Sequence, residues 1–510
     1  MNSHRRKTVA VLIDSPLFLE HLFLSGALRD LVAQHDVVLA GPADILELWR
    51  IDNEQKQRHN VPVRTIEISR ESKWLSFEKV LLDVNTRRYQ NRSQSFVYRL
   101  QRERLKVGLS VDSAKLQLTC EERHSLLGAA PMADQVMTGC LALPPPRLRS
   151  IAARGYMSLK LVVRVFQSTR RRKVIFRDML ARPPLHPCLM LLSKIGQKWA
   201  NQAVSRLGEM GIDLALIPTS GFEPHLRPLL RSLREGKIAS ALVVDNWDNL
   251  SSKIVLLEQP NAIGVWGPQS AHHAEDIHGI EPGKIYELGS PRFVTYAESE
   301  TTSSAAESRS ILFSGSAPAS METPLLRVLD HVLEGFNEGR LDGEVRLIYR
   351  PHPFRAKRTL NDEYNASDYR FVDLEDAGGS RDTTAFREKT SIDFARYLFV
   401  VSGPTSVVIE SLIHQRNVIL LGLNDKLHLT TGSAYIRNSL HFAGIAGIPA
   451  VSLVATEEAL AEEFTRLLTR AGKDSHLSSQ KSVEWYCTLP CRDYGKRLLA
   501  MVNEVLQTHE

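Results

Sequence analysis

Short apolar runs alternate with stretches of helical periodicity at the start of the chain and again from residue 212. KTVAVLID (7–14) and DVVLAGP (36–42) have the continuous apolar character of buried parallel strands, and HLFLSGALRDLVAQ between them has the pattern of a helix. IDLALIPTS (212–220), IASALVVDN and AIGVWGPQS repeat the strand pattern. This alternation predicts a doubly wound α/β domain.

A second series of strands and helices follows a polar stretch. AESETTSSAAESRS (297–310) is rich in serine and threonine and lacks apolar periodicity, so it predicts a linker. SILFSGS, EVRLIYRPHP, YRFVDLE, YLFVVSGPTS and NVILLGL then predict the strands of another α/β domain. Two such domains leave a cleft between the carboxyl ends of their sheets, where open α/β sheets bind ligands.

These patterns divide the 510 residues into two domains, as the length of the chain also requires. We expect a Rossmann-like N-terminal domain over residues 1–295, a linker over 296–310, a second Rossmann-like domain over 311–480 and a C-terminal helical segment over 481–510. Residues from 54 to about 202 are irregular, basic and mostly helical in pattern. They are expected to form an insert in the N-terminal domain.

The formal net charge is +6, and basic residues are concentrated in the predicted insert. Between Arg147 and Arg206 the only acidic residue is Asp178. Within this range, YMSLKLVVRVFQSTRRRKVIFRDML (156–180) mixes apolar residues with a dense cationic run, a composition suited to peripheral contact with an anionic membrane surface or with a lipid-linked acceptor. A solvated basic face explains it equally well. No recognised nucleic-acid-binding fold accompanies the charge, so nucleic acid is not expected as a partner.

The cysteines and the hydropathy of the chain indicate the cellular compartment in which we expect the protein. The five cysteines are scattered and odd in number, which does not indicate a disulfide framework. The apolar run VAVLI near the N-terminus is too short for a signal peptide, and no window of about 18 residues is apolar enough to span a bilayer. We expect a cytoplasmic protein, at the inner face of the cell membrane if the insert binds lipid.

The stretch YLFVVSGPTSVVIESL places small and hydroxyl-bearing residues between a buried strand and a helix. Ser402, Thr405 and Ser406 offer hydroxyls, and Gly403 allows close approach of the backbone. The start of the helix favours a phosphate, and Glu410, one turn later, is placed to accept hydrogen bonds from ribose hydroxyls. The alternative is that Thr405 or Ser406 only caps the helix.

Two other strand ends carry comparable residues. YRPHP ends a predicted strand with Arg350 and His352, whose directions are restricted by the two prolines. SILFSGSA ends another strand with Ser314 and Gly315. Since the carboxyl ends of parallel strands share one edge of a sheet, we expect these loops and the SGPTS loop to face the same phosphates, with the Arg350 and Ser402 loops on neighbouring strands. A plain surface turn is the alternative for YRPHP.

The RPHP turn followed by SGPTSVVIESL resembles the nucleotide-binding half of glycosyltransferases with the GT-B fold. The resemblance covers residues 310–423 and is strongest to bacterial capsule and cell-surface enzymes of the sialyl-, polysialyl-, Kdo- or CDP-glycerol type. In that group a His-Pro motif and a Ser/Thr pair hold the nucleotide. The matching positions here are His352, with the proline after it, and Thr405 and Ser406, with Glu410 at the ribose. The resemblance implies two Rossmann-like domains facing a central cleft.

The stretch VVDNWDNLSSK (243–253) is a dense polar cluster after a predicted strand. An aromatic ring among hydrogen-bonding side chains suits a sugar, and the segment resembles a Trp-Asp-Asn-Leu segment of bacterial GT-B surface-polysaccharide proteins. An Asx-rich turn whose tryptophan fills the domain is the alternative. The residues expected to bind the acceptor are Trp247, Asp245, Asn249, Lys253, Glu223 and Asp14, with Ser15, Glu20 and His21 as further candidates beside Asp14.

An inverting transfer needs a general base. Asp248 is preferred among the N-terminal carboxylates at strand ends, and His352 is expected to stabilise the nucleotide leaving group. Arg292, in GSPRF, is expected to reach the donor. No Asp-x-Asp motif stands at a strand end, so we predict transfer without a metal and without a cofactor.

The predicted function is that of a glycosyltransferase moving a sugar from a CMP-, CDP- or UDP-linked donor to a surface-polysaccharide or lipid-linked glycan acceptor. The alternatives are a CDP-glycerol-type polyol-phosphate transferase, a nucleotide-sugar epimerase and a non-catalytic nucleotide-sugar-binding protein.

Overall fold

The computed structural model describes residues 5–56, 63–68, 78, 80–82, 84–85, 180, 185, 198–219, 223, 225–254, 256–294, 309–315, 322–340, 343–352, 364–375, 394–423, 432–470 and 479–509. The predicted insert lies almost entirely outside these residues, and so do Ser316 and Pro353.

The N-terminal domain is built on a seven-stranded parallel sheet. Its strands are β1 (Thr8–Leu12), β2 (Asp36–Gly41), β3 (Arg64–Glu67), β4 (Leu214–Thr219), β5 (Ala239–Val244), β6 (Ala262–Val265) and β7 (Ile285–Glu287). The order across the sheet is β3-β2-β1-β4-β5-β6-β7. Strands β1, β4, β5 and β6 are buried along their whole length, as apolar runs covered on both faces must be.

Helices cover both faces of this sheet. They are α1 (Pro16–Leu24), α2 (Ala27–Gln34), α3 (Ala43–Lys56), α4 (Lys198–Glu209), α5 (Leu226–Glu235) and α6 (Pro268–His278). Helices α1 to α3 pack on one face, and α4, α5 and α6 pack on the other, so each face has its own apolar core. A five-residue π-helix (Asn249–Lys253) follows β5, and a short 3-10 turn (Pro291–Phe293) ends the domain.

The C-terminal domain repeats this plan with a six-stranded parallel sheet. Its strands are β8 (Ser310–Ser314), β9 (Arg346–Arg350), β10 (Val372–Leu374), β11 (Tyr397–Ser402), β12 (Asn417–Leu421) and β13 (Val451–Val454). Its helices are α7 (Glu322–Asn337), α8 (Val407–Ile413), α9 (Gly432–Asn438), α10 (Glu457–Arg470) and α11 (Ser479–Glu484). Helices α7 and α10 cover one face, and α8 and α9 cover the other.

Both sheets have the doubly wound strand order. The C-terminal order is β10-β9-β8-β11-β12-β13, so in each domain the first and fourth strands are neighbours where the winding reverses. The predicted fold class, two Rossmann-like α/β domains, is confirmed by these strand orders. The reversal points are β1/β4 and β8/β11, which is where ligands of such sheets bind.

The two domains share an apolar core, and the chain passes from the first domain to the second and back again. Trp247, Trp266 and Phe293 of the N-terminal domain pack in one apolar cluster with residues of α8 and α9. The last helix, α12 (Tyr494–Thr508), returns to the N-terminal domain, where Leu498 joins the core beneath α1 and α2. The long helix of the predicted C-terminal segment is therefore a layer of the first domain, whereas α11, at the start of that segment, packs with α8 of the second.

One strand falls inside the range that the sequence assigned to the insert. Strand β3 pairs with β2 through Arg64 and Thr65, at the edge of the sheet. Its side chains are mostly exposed, so it lacks the apolar run that identified the other strands. The described helices include none that is long and apolar enough to cross a membrane.

Candidate functional site

Three loops of the C-terminal domain share the carboxyl edge of its sheet. Strand β8 lies between β9 and β11, so the loops that begin at Arg350 and Ser402 are separated by one strand. The prediction that these two loops follow neighbouring strands is therefore wrong. The loop after β8 fills the gap, because Gly315 donates its backbone N–H to the carbonyl of Arg350 at 2.9 Å. A Cβ at Gly315 would lie 3.0 Å from the backbone nitrogen of His352, which leaves room only for glycine.

The SGPTS loop presents its hydroxyls to one another and to Glu410. The Ser402 hydroxyl donates to the carbonyl of Gly403 at 2.9 Å and lies 3.3 Å from the Thr405 hydroxyl. The Ser406 hydroxyl donates to Glu410 Oε1 at 3.1 Å and does not cap α8. The alternative interpretation, in which Ser406 only caps the helix, is therefore wrong for this side chain.

Glu410 connects this loop to the other domain. Its side chain is almost fully buried, and Oε1 lies 3.5 Å from Nη2 of Arg292 in the turn that ends the N-terminal domain. Arg292, Glu410 and Ser406 therefore form one polar chain across the domain boundary. Three of the predicted donor-binding residues, Arg292 from one domain and Ser406 and Glu410 from the other, are brought together here.

A histidine of α1 faces the same cluster. Nδ1 of His21 lies 3.4 Å from Oδ1 of Asp245, a close polar contact without the alignment of a hydrogen bond. Burial lowers the pKa of His21, and the neighbouring Asp245 carboxylate opposes that shift. The charges of Arg292 and Glu410 also act on this imidazole. His21 was one of several polar residues after β1, and only its contact with Asp245 singles it out.

The tryptophan predicted to stack on a sugar lies instead in the core shared by the domains. Trp247 is 3% exposed and makes edge-to-face contacts with His441 and Phe442 at centroid distances of 5.0 and 4.9 Å. No face of the ring is open to a ligand, so the alternative of a tryptophan filling the structure is the one observed. Asn249 is likewise fully buried and donates to the carbonyl of Thr219 at 3.3 Å.

The predicted base is engaged in the same loop. Nζ of Lys253 lies 2.8 Å from Oδ2 and 2.9 Å from Oδ1 of Asp248. The next residues tie the loop to the C-terminal domain, since the Ser251 hydroxyl lies 3.0 Å from Nδ1 of His441. Burial lowers the pKa of His441 to about 4, and the Asp248 charge opposes that shift. Asp248 and Lys253 thus belong to the domain interface.

Two predicted acceptor residues lie at the reversal point of the N-terminal sheet. Asp14 follows β1, and its Oδ2 lies 3.7 Å from Nε2 of His225. Glu223 follows β4 and accepts a hydrogen bond from the Thr219 hydroxyl at 2.8 Å. Asp14 and Glu223 therefore flank the same end of the sheet, as expected from parallel strands.

Arg350 is less accessible than the sequence suggested. Its side chain is buried, and its charge acts on the hydroxyl of Tyr397. Burial raises the pKa of Tyr397 to about 12 against that influence. His352 is half-buried at the same edge. Within the described residues no group of histidine, cysteine, aspartate and glutamate side chains could hold a metal ion.

Comparisons with known proteins give similarity of fold only. No protein-family model matches the chain, and no curated protein matches it. It is similar to a putative UDP-N-acetylglucosamine 2-epimerase from Listeria monocytogenes (11% identity, TM-score 0.45, 99% of this chain and 97% of that one). It is also similar to UDP-N-acetylglucosamine 2-epimerase from Rickettsia bellii (8%, 0.46, 99% and 98%) and to MurG from Acinetobacter baumannii (11%, 0.41, 98% and 99%).

Proposed function

We propose that the chain is a glycosyltransferase that moves a sugar from a nucleotide-activated donor to a surface-polysaccharide or lipid-linked glycan acceptor. The observation that supports this best is the meeting of Glu410 and Arg292 across the domain boundary, beside the His21–Asp245 pair. An imidazole of one domain is thereby placed near the hydroxyls and carboxylate of the other. Transfer between two bound substrates needs such an arrangement, because it holds both reactants in one geometry.

The C-terminal loops have the chemistry to hold the donor. The half-buried hydroxyls of Thr405 and Ser406 can turn to donate to phosphate oxygens, and Glu410, released by Ser406, can then accept from ribose hydroxyls. His352 lies at the same edge of the sheet, where a positive donor would stabilise the departing nucleotide. The base of the nucleotide, whether cytosine or uracil, is left open by these contacts.

His21 suits the role of general base better than Asp248 does. Its lowered pKa keeps the imidazole neutral at physiological pH, so it can accept the proton of an acceptor hydroxyl. Asp245 would orient the ring and stabilise the imidazolium that forms. The Asp248 carboxylate is already bound to Lys253, at the domain interface.

Binding to a panel of CMP, CDP, UDP, GDP and their sugars tests the donor site. A ligand that binds only the folded chain raises its melting temperature. Replacing both Thr405 and Ser406 by alanine should weaken nucleotide binding by about 100-fold, since each hydrogen bond lost to a charged phosphate is worth about 1.5 kcal/mol. Ser367→Ala removes an exposed hydroxyl of the same domain and should leave the affinity unchanged. Equal affinity in the double variant would remove the SGPTS loop from the site.

Two further parts of the proposal concern partners. The basic insert is proposed to contact the inner face of the cell membrane, where a lipid-linked acceptor would be presented. A transferase of the CDP-glycerol type would use the same donor contacts and would be recognised by a preference for CDP-linked polyols in the panel. An epimerase would convert the donor without an acceptor, and a non-catalytic protein would bind it without turnover.

A further inference from the structure

A pocket opens at the carboxyl edge of the N-terminal sheet, on the face opposite α1. The ends of β1, β2 and β4 form its floor, and α4 and α5 form its walls. The walls are aliphatic and are provided by Ala203, Ile217, Leu226 and Leu229. Ile217, Leu226 and Leu229 belong to the core of that face, so the pocket is an extension of a packed apolar layer.

Polar groups are confined to one end of this pocket. Asp14 and His225 face each other there at 3.7 Å, and Glu223 is held by the Thr219 hydroxyl at 2.8 Å. Two carboxylates and an imidazole therefore stand beside an apolar slot. A ligand that matches this layout has a hydroxyl or amine at one end and an apolar body at the other.

A sugar chain does not match it. Hydroxyls placed against the aliphatic walls would lose water without gaining hydrogen bonds, which is unfavourable. The tryptophan that could have stacked on a sugar, Trp247, is buried in the core shared by the domains. The pocket thus distinguishes between the two classes of acceptor that the proposed function includes.

We propose that this pocket binds the apolar group of the acceptor, an alkyl chain or an aromatic ring, with the head group held by Asp14 and His225. The acceptor is then an apolar molecule that carries a hydroxyl. A polysaccharide end without an apolar group is not sufficient as an acceptor. The inference rests on the proposed function, because it takes the ligand to be the acceptor of that reaction. Asp14 lies just before α1, the helix that carries His21, so the head group is held at the same carboxyl edge of the sheet from which that helix starts.

Titration calorimetry with three probes tests this. Octyl β-D-glucoside below its micelle concentration supplies an alkyl group, phenyl β-D-glucoside supplies an aromatic one, and glucose supplies neither. We expect one of the first two to bind and glucose to bind about tenfold more weakly or worse. The alkyl and aryl arms identify which apolar group the pocket takes. Glucose binding as tightly as both glycosides, or no binding of either glycoside, would overturn the proposal.

Variants locate the binding. Ala203→Leu fills the slot from α4, and Ile68→Trp narrows it from the rim, where the residue is half-buried and easier to replace. Each of these two variants should abolish glycoside binding. Its melting temperature should stay within a few degrees of that of the parent, which shows that the loss of binding is not a loss of folding. Ala33→Leu adds the same group on the exposed side of α2 and should not affect it. Retained binding in both pocket variants would refute the site.

A nucleotide titration on the same variants separates this inference from the proposed function. Nucleotide binding that persists while glycoside binding is lost supports the pocket as a separate acceptor site. If the parent chain binds no nucleotide or nucleotide sugar, the proposed function fails, whereas the glycoside result still reports on the pocket itself.

Discussion

Lowering the pH from 7 to 5 is expected to destabilise the interface between the domains through His441. This imidazole is buried where the C-terminal domain meets the π-helix after β5, and its Nδ1 lies 3.0 Å from the Ser251 hydroxyl. Burial lowers its pKa to about 4, opposed by Asp248 and reinforced by the charges of His273 and Lys253. In the folded chain His441 therefore stays neutral at pH 5.

The size of the effect follows from linkage between folding and protonation. A histidine in an unfolded chain titrates near 6.5, so the unfolded chain takes up the proton first as the pH falls. The contribution of this group to stability is present above that pH and is lost progressively between 6.5 and 4. Between pH 7 and 5 the loss of free energy of unfolding amounts to about 2 kcal/mol.

Urea denaturation at the two pH values measures this loss. Tryptophan fluorescence and far-UV circular dichroism must give coincident transitions before midpoints are converted to free energies in a two-domain chain. The parent should lose about 2 kcal/mol more between pH 7 and 5 than His441→Gln does. His331→Gln, which replaces an exposed histidine of α7, should behave like the parent. An equal loss in the parent and His441→Gln would refute the reasoning.

Three further predictions concern single side chains. Trp247→Ala should lower the free energy of unfolding by about 3–5 kcal/mol because it leaves a cavity, whereas Trp247→Phe should leave the KM for acceptor unchanged; a selective rise in that KM would restore a sugar-binding role. Asp245→Asn should move the acid limb of kcat/KM to lower pH, because the carboxylate raises the pKa of His21; a limb that stays in place would exclude His21 as the base. Glu410→Gln should weaken nucleotide binding by about tenfold, measured by calorimetry, and Glu457→Gln on the exposed side of α10 should not; equal losses would indicate a general electrostatic effect.

The fold could be predicted from the sequence because buried parallel strands leave a local signature. Strands β1, β4, β5, β8 and β11 are short apolar runs, and each is followed by a polar loop at the edge where ligands bind. Strand β3 was missed because its side chains are mostly exposed at the sheet edge. The order of β8 between β9 and β11 could not be read from the chain, since strand order depends on long-range pairing.

The site was harder to predict because its pairs are distant in the sequence. His21 and Asp245 are 224 residues apart, and nothing around His21 distinguishes it from the polar residues near it. Trp247 lies in a polar loop, and such a loop looks the same whether the ring meets a ligand or the core of another domain. Glu410 was recognised because it lies one turn from the SGPTS loop, which is a local relation.

The most direct test of the transferase proposal is to follow a nucleotide sugar that binds in the panel by ³¹P and ¹H NMR, with and without an alkyl or aryl glycoside as acceptor. We predict that nucleotide is released when the acceptor is present, that the sugar of the remaining donor keeps its configuration, and that His21→Ala slows release without loss of donor binding. Isomerisation of the sugar without acceptor, or bound donor that is never consumed, would contradict the account.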